Sequence, residues 1–176
     1  MTDKVYYVNI RVYLKELLSY YKDNPDYGAP DKPYPADFFS EIIAPSSVFY
    51  GPLRNIMVLK DDAVYRWTID SADGTPILFN NSKDSEMVME MITNQPSKEK
   101  WQKIFVNPPD PDDKGRLKIK SKKPNESVFE MTTTNNIKGG GKIKYSFLFE
   151  FDVNGVPKYG IIDPVVDPTD PPPDEP

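Results

Sequence analysis

The sequence predicts a mainly β fold, an antiparallel β-sandwich with one or two short helices near the N-terminus. Three features predict it. Apolar and polar residues alternate along several segments, as they do on half-buried strands, and turn residues separate many of these segments. Asn154-Gly155, a pair suited to a two-residue primed turn, lies between residues 142–151 and 156–162. Every second residue from 145 to 151 is aromatic, so one face of this hairpin is expected to be core.

The N-terminal region combines one strand with short helical segments. Residues 5–14 alternate in polarity and are predicted to form a strand. From Leu14 the apolar spacing becomes that of one helical face, which predicts a helical turn before Asn24-Pro25. Prolines make residues 23–35 an irregular connection. A second short helix is expected at 37–43, with Asp37 as its N-cap.

After Pro45 the pattern becomes a succession of short strands with turn signals between most of them. That cadence is typical of an all-β sandwich. The strands are expected at 47–50, 55–60, 63–69, 76–81, 86–92, 101–106, 116–120 and 127–133.

A chain of 176 residues is suited to one domain, which we place at residues 1–162. Residues 163–176 are rich in proline and acidic residues and are expected to be an extended or disordered tail. This tail holds five of the 27 acidic residues and none of the 22 basic ones, so residues 1–162 contain 22 of each. A body of formal charge zero repels its copies weakly and associates easily.

The composition argues against catalysis. Histidine and cysteine are both absent, which removes the commonest general base, thiol nucleophiles, disulfides and the usual zinc ligands. We therefore expect no enzyme, no catalytic residues, no cofactor and no metal, while a carboxylate-only hydrolase stays open as a third hypothesis. Residues 110–115 suggest an acidic turn more than a calcium loop, and the glycines at 139–141 a hairpin connection more than a phosphate cradle.

The expected location is the cytoplasm. Asn9 and Arg11 interrupt any apolar run that could serve as a signal peptide, and no segment approaches the length of a membrane span. The lysines between residues 118 and 123 lie among other residue types on a predicted strand, as on a solvated face. Neither a membrane nor a nucleic acid is therefore expected as a partner.

Two groups of residues are candidates for a functional surface. Met87, Met89 and Met91 alternate along one predicted strand and are either adaptable core residues or a soft self-association surface. Trp67 and Trp101 are either core anchors or the floor of a small-ligand or carbohydrate site, with Arg66 beside Trp67 as a further candidate ligand-binding residue.

The C-terminal hairpin resembles the closing segment of the AidA/PixA family of bacterial inclusion-body proteins. The resemblance rests on the aromatic strand at 145–149, the Asn154-Gly155 turn and the stretch Tyr159-Gly-Ile-Ile-Asp-Pro164. The segment from Asp62 to Arg66-Trp67 is similar to a second feature of that family. The resemblance implies a β-sandwich that accumulates in the bacterial cytoplasm, sometimes as inclusions, and it implies no catalytic residues.

Taken together, these features predict a non-enzymatic protein that acts by self-association, as a homo-oligomer, with the methionines and an edge strand as candidate contacts. The alternative is a lectin-like module that binds a carbohydrate or another small molecule.

Overall fold

The structure, a computed structural model, describes residues 4–46, 49–50, 56–79, 87–91, 97–119, 128–135, 137 and 142–162. Within these ranges the chain is mainly β, as predicted, and its strands form two sheets. The helices are α1 (Leu14–Tyr20) and α2 (Lys98–Ile104), and Asp37–Phe39 is a 3-10 turn. The strands are β1 (Lys4–Val12), β2 (Tyr34–Pro35), β3 (Ser40–Ile43), β4 (Phe49–Tyr50), β5 (Ile56–Val58), β6 (Ala63–Ser71), β7 (Ile77–Leu78), β8 (Met87–Met91), β9 (Leu117–Ile119), β10 (Val128–Thr132), β11 (Lys142–Val153) and β12 (Val156–Ile162).

The first sheet has four strands in the order β10-β6-β1-β3. Its two central strands, β1 and β6, are parallel, where a wholly antiparallel sandwich was expected, and they pair over nine residues. The edge strands β3 and β10 are antiparallel to their neighbours. Side chains of β6 alternate between buried and half-buried from end to end. This sheet therefore has one core face and one solvent face.

The second sheet is organised around β11, a strand of twelve residues that pairs with β5, β7, β8 and β12. The β11–β12 hairpin confirms the sequence prediction, because β12 spans the predicted residues and Asn154 and Gly155 both have positive φ, 53° and 80°. The alternate residues of β11 from Ile143 to Phe151 are buried.

The core lies between the two sheets. The ring of Phe79 bridges it, with its centroid 4.3 Å from that of Phe129 in β10 and 5.5 Å from that of Phe147 in β11. A buried hydroxyl closes one end, since Thr133 Oγ1 accepts the Ala63 N–H at 2.9 Å and donates to the Lys60 carbonyl at 2.7 Å. The apolar rings and this satisfied polar contact join the sheets into one packed unit.

Two predicted elements were wrong. Residues 98–104 form helix α2, where a strand was expected, because Trp101 and Ile104 are buried on one helical face and Phe105 continues it. Only the first part of the expected helix at 37–43 is helical. Ser40–Ile43 form β3, because their backbone pairs with β1 from Asn9 to Val12.

The helical turn predicted from Leu14 is confirmed as α1, with Leu14 and Leu17 buried. The tail at 163–176 lies outside the described residues. Neither described helix is long and apolar enough to cross a membrane.

Candidate functional site

The outer face of the four-stranded sheet carries a connected set of polar and aromatic side chains. The register of the central strands places four pairs of outward residues side by side. We call them the outer-face ladder, which consists of Val5 with Val64, Tyr7 with Arg66, Asn9 with Thr68 and Arg11 with Asp70. Each pair is chemically matched: two apolar groups, a ring and a cation, an amide and a hydroxyl, and a cation and an anion.

Hydrogen bonds connect the two polar pairs of the ladder, Asn9 with Thr68 and Arg11 with Asp70. Asn9 Nδ2 donates to Thr68 Oγ1 at 3.0 Å and to Asp70 Oδ2 at 3.3 Å, while Arg11 Nε donates to Asp70 Oδ1 at 3.0 Å. The hydrogen bond to Asp70 raises the pKa of the Arg11 guanidinium. The carboxylate of Asp70 is therefore shared between two residues of β1, which fixes the side chains of both strands relative to each other.

Arg66, which is paired with Tyr7 in the ladder, has contacts on two sides. Its Nη2 lies 2.6 Å and its Nε 2.9 Å from Glu130 Oε2 on β10, and its Cζ lies 5.6 Å from the centroid of the Tyr7 ring. The hydrogen bond to Glu130 raises the pKa of Arg66. The guanidinium is held in one orientation, because it lies over a ring and is also hydrogen-bonded to a carboxylate.

The edge strands extend this surface. On β3, Ile43 is paired with Asn9 and Glu41 with Arg11, and on β10 Val128 is paired with Thr68. A hydrogen bond to Glu41 raises the pKa of the nearby Tyr13. The outer face thus has apolar positions at both of its edges.

Several apolar groups on this face are open to solvent. The exposed fraction is 57% for Tyr7, 45% for Ile43 and 38% for Val5. The charged groups beside them already have partners within the sheet. Such a face offers apolar and aromatic area together with charges that keep fixed positions, an arrangement suited to contact with another extended surface.

Of the two alternatives for Trp67 and Trp101, the core anchors are confirmed and the floor of a ligand site is wrong. Trp67 and Trp101 both have an exposed fraction of 0%, so neither ring can underlie an open ligand site. Trp67 is an inward residue at the centre of β6, and Trp101 lies on the core side of α2 with its Nε1 donating to the Gly115 carbonyl at 2.8 Å. Arg66 is separated from the Trp67 ring because adjacent residues of a strand point to opposite faces.

The backbone of β8 places Met89 opposite Tyr145 of β11 and Leu117 of β9, both of which are buried. The side chains of Met87, Met89 and Met91 lie outside the described part of the structure. Their proposed role in self-association therefore stays a prediction.

Acidic residues in the described ranges do not converge on a metal position, since no group of three or more of them could hold an ion. At the acidic turn, Asp112 Oδ1 accepts the backbone N–H groups of Lys114 at 3.0 Å and Arg116 at 2.8 Å. Burial opposes the ionisation of Asp112, but the hydrogen bonds from Arg116 and Lys114 outweigh it and lower its pKa. This carboxylate closes a turn. The glycine-rich segment at 139–141 lies outside the described residues.

No protein-family model matches this chain, and no curated protein matches it in sequence.

Sequence reasoning identified Asn9 and Arg11 only as the polar side of a strand. Their partners Thr68 and Asp70 lie 59 residues further along the chain. The signal that could have found the ladder is the similar polarity pattern of β1 and β6, which acquires meaning only when the two strands are known to be neighbours.

Proposed function

We propose that the protein is a non-enzymatic β-sandwich that acts by associating with copies of itself in the bacterial cytoplasm. The outer face of the four-stranded sheet carries this proposal, because it combines exposed apolar groups with charges already paired within the sheet. Desolvating paired charges costs less than desolvating isolated ones, so such a face can be covered by another protein surface.

The neutral charge of residues 1–162 supports the same proposal, since copies of the domain do not repel one another strongly. The resemblance to the AidA/PixA proteins leads to the same expectation of accumulation without catalysis.

Sedimentation velocity over a wide concentration series tests the proposal. We expect the mean mass to rise with concentration and to return on dilution, as in a reversible equilibrium. A monomer throughout the series would refute self-association. In parallel, ester, phosphate and glycoside substrates should show no turnover, and hydrolysis that disappears when a single carboxylate is changed would refute the non-enzymatic part.

A lectin-like module is the second candidate, and the exposed ring of Tyr7 favours it. Sugars stack on aromatic rings, and the Asn9 amide provides a polar group nearby on the same strand. A glycan-binding screen tests this candidate. If the candidate is right, at least one glycan binds the wild type and no longer binds Tyr7→Ala. The same glycan should still bind the control Tyr20→Ala, which changes another exposed tyrosine, on α1.

A further inference from the structure

We propose that the partner on the outer-face ladder is a second copy of this chain, related to the first by a two-fold axis that runs along the strands between β1 and β6. This inference rests on the proposed self-association and specifies its surface and symmetry. It follows from the chemical matching of the ladder pairs.

A two-fold axis in this position places β1 of one copy over β6 of the other. Every outward residue of β1 then faces the residue that is its neighbour within its own sheet. Arg11 of one copy faces Asp70 of the second, Tyr7 faces Arg66, and Asn9 faces Thr68. Because each pair is complementary within the sheet, it is also complementary across the interface.

The same axis aligns the edge strands. Residues 9, 43, 68 and 128 form one row across the four strands. The two-fold axis passes over the middle of that row, between β1 and β6. It therefore brings β3 of one copy over β10 of the second, so that Ile43 faces Val128. An axis between any other two neighbouring strands would leave outer strands without a counterpart, since β1 and β6 are the central pair.

The electrostatics favour a copy over a charged ligand. Arg11 and Arg66 are each already bound to a carboxylate, at 3.0 Å and 2.6 Å. A phosphate or another anion would compete with those carboxylates. A second copy instead offers each guanidinium a further carboxylate or ring without breaking the first contact.

The size of the face sets the expected strength. Four strands about 4.8 Å apart, paired over four to nine residues at about 3.3 Å each, present roughly 400–500 Å² per copy. About 800–1,000 Å² in total is at the lower end of specific interfaces. The dimer should therefore be weak and reversible, with dissociation at micromolar concentrations or above.

Charge reversal with mixing tests the arrangement. In Asp70→Arg alone, arginines at 11 and 70 face each other across the interface, and in Arg11→Asp alone, two carboxylates do. Each variant should dimerise about tenfold or more weakly than the wild type in sedimentation equilibrium. In an equimolar mixture the cationic copy faces the anionic copy at both positions, so association should return as a heterodimer.

Mixing separates an interface from a defect within one copy, because a damaged monomer is not repaired by a second damaged monomer. The matched controls are Glu99→Arg and Lys100→Asp on α2, which are exposed and lie outside the outer face, and they should associate as the wild type does. If thermal melts show that a ladder variant does not fold, Ile43→Arg replaces it, since that side chain is 45% exposed.

The outcomes are distinguishable. A wild type that stays monomeric refutes both the proposed function and this inference. A wild type that associates while folded ladder variants, or Ile43→Arg, associate equally well refutes this surface and leaves self-association standing. Weakened single variants that a mixture does not rescue refute the two-fold arrangement.

Discussion

Gly160 of β12 lies directly opposite Phe149 of β11, so close that a Cβ at position 160 would stand 2.2 Å from Phe149 Cζ. No side chain tolerates that separation, and the ring of Phe149 is completely buried. The glycine is therefore required by its neighbour and not by its own backbone, which does not have positive φ. The ring of Phe149 occupies the space that a side chain at position 160 would need.

Replacement of Gly160 by alanine should destabilise the protein by about 1–3 kcal/mol, because the added methyl forces the Phe149 ring out of its packed position. Urea unfolding monitored by circular dichroism measures the loss. Gly74→Ala is the control, since nothing lies within 4 Å of a Cβ there and only the positive φ of 81° opposes it. Gly160→Ala combined with Phe149→Leu should be more stable than Gly160→Ala alone. An additive double variant would contradict the steric explanation.

A glutamate at Met89 should unfold the domain. The backbone register pairs this position with Tyr145 and Leu117, both buried, and directly paired residues of a sheet share a face. Burying an unpaired carboxylate costs several kcal/mol. Circular dichroism and sedimentation on this one variant separate the two interpretations of the methionines. A folded Met89→Glu protein with weakened assembly would instead support the methionines as a self-association surface.

Raising the pH above 10 should reduce the contribution of Tyr65 to the stability of the folded protein. Burial raises the pKa of its hydroxyl to about 12, although the hydrogen bond from Lys60 N–H acts in the opposite direction. The unfolded chain releases this proton near pH 10, so the stabilisation is complete below pH 10 and is lost as the pH rises towards 12. The pKa difference corresponds to roughly 2–3 kcal/mol.

Tyr65→Phe isolates that effect. At pH 8 the variant should be less stable than the wild type by about 1 kcal/mol, because the Lys60 N–H loses its acceptor. In urea titrations near pH 11 this difference should shrink or change sign. A constant difference at all pH values would show that the hydroxyl does not titrate with folding.

Local patterns predicted the elements that depend on neighbouring residues. The β11–β12 hairpin follows from the Asn154-Gly155 turn and the aromatic alternation, and α1 follows from the spacing that begins at Leu14. The strand at Ser40–Ile43 could not be predicted in this way, because its conformation is stabilised by pairing with β1. Helix α2 was misinterpreted although Trp101, Ile104 and Phe105 have helical spacing.

The candidate site was the least predictable part of the molecule. Trp67 attracts attention in the sequence because it is large, yet its size explains why it is buried. Arg66, its neighbour, is on the outer face, and its carboxylate partner Glu130 lies 64 residues away in the sequence. Alternation indicates which side chains share a face of one strand. It does not indicate which strand lies beside it.

Deletion of residues 164–176 should strengthen self-association near pH 7. The deletion removes four acidic residues and no basic ones, which changes the formal net charge from −5 to −1. Weaker charge repulsion between copies should lower the concentration at which the mean mass rises, without a change in the melting temperature of the folded domain. Light scattering over a concentration series measures this effect. A full-length variant in which the four acidic residues are changed to Asn or Gln separates the effect of charge from that of length.

Added salt should reduce the difference between the full chain and the truncated chain, because it screens the same repulsion. Equal association of the two chains at low salt would show that the acidic tail does not limit assembly.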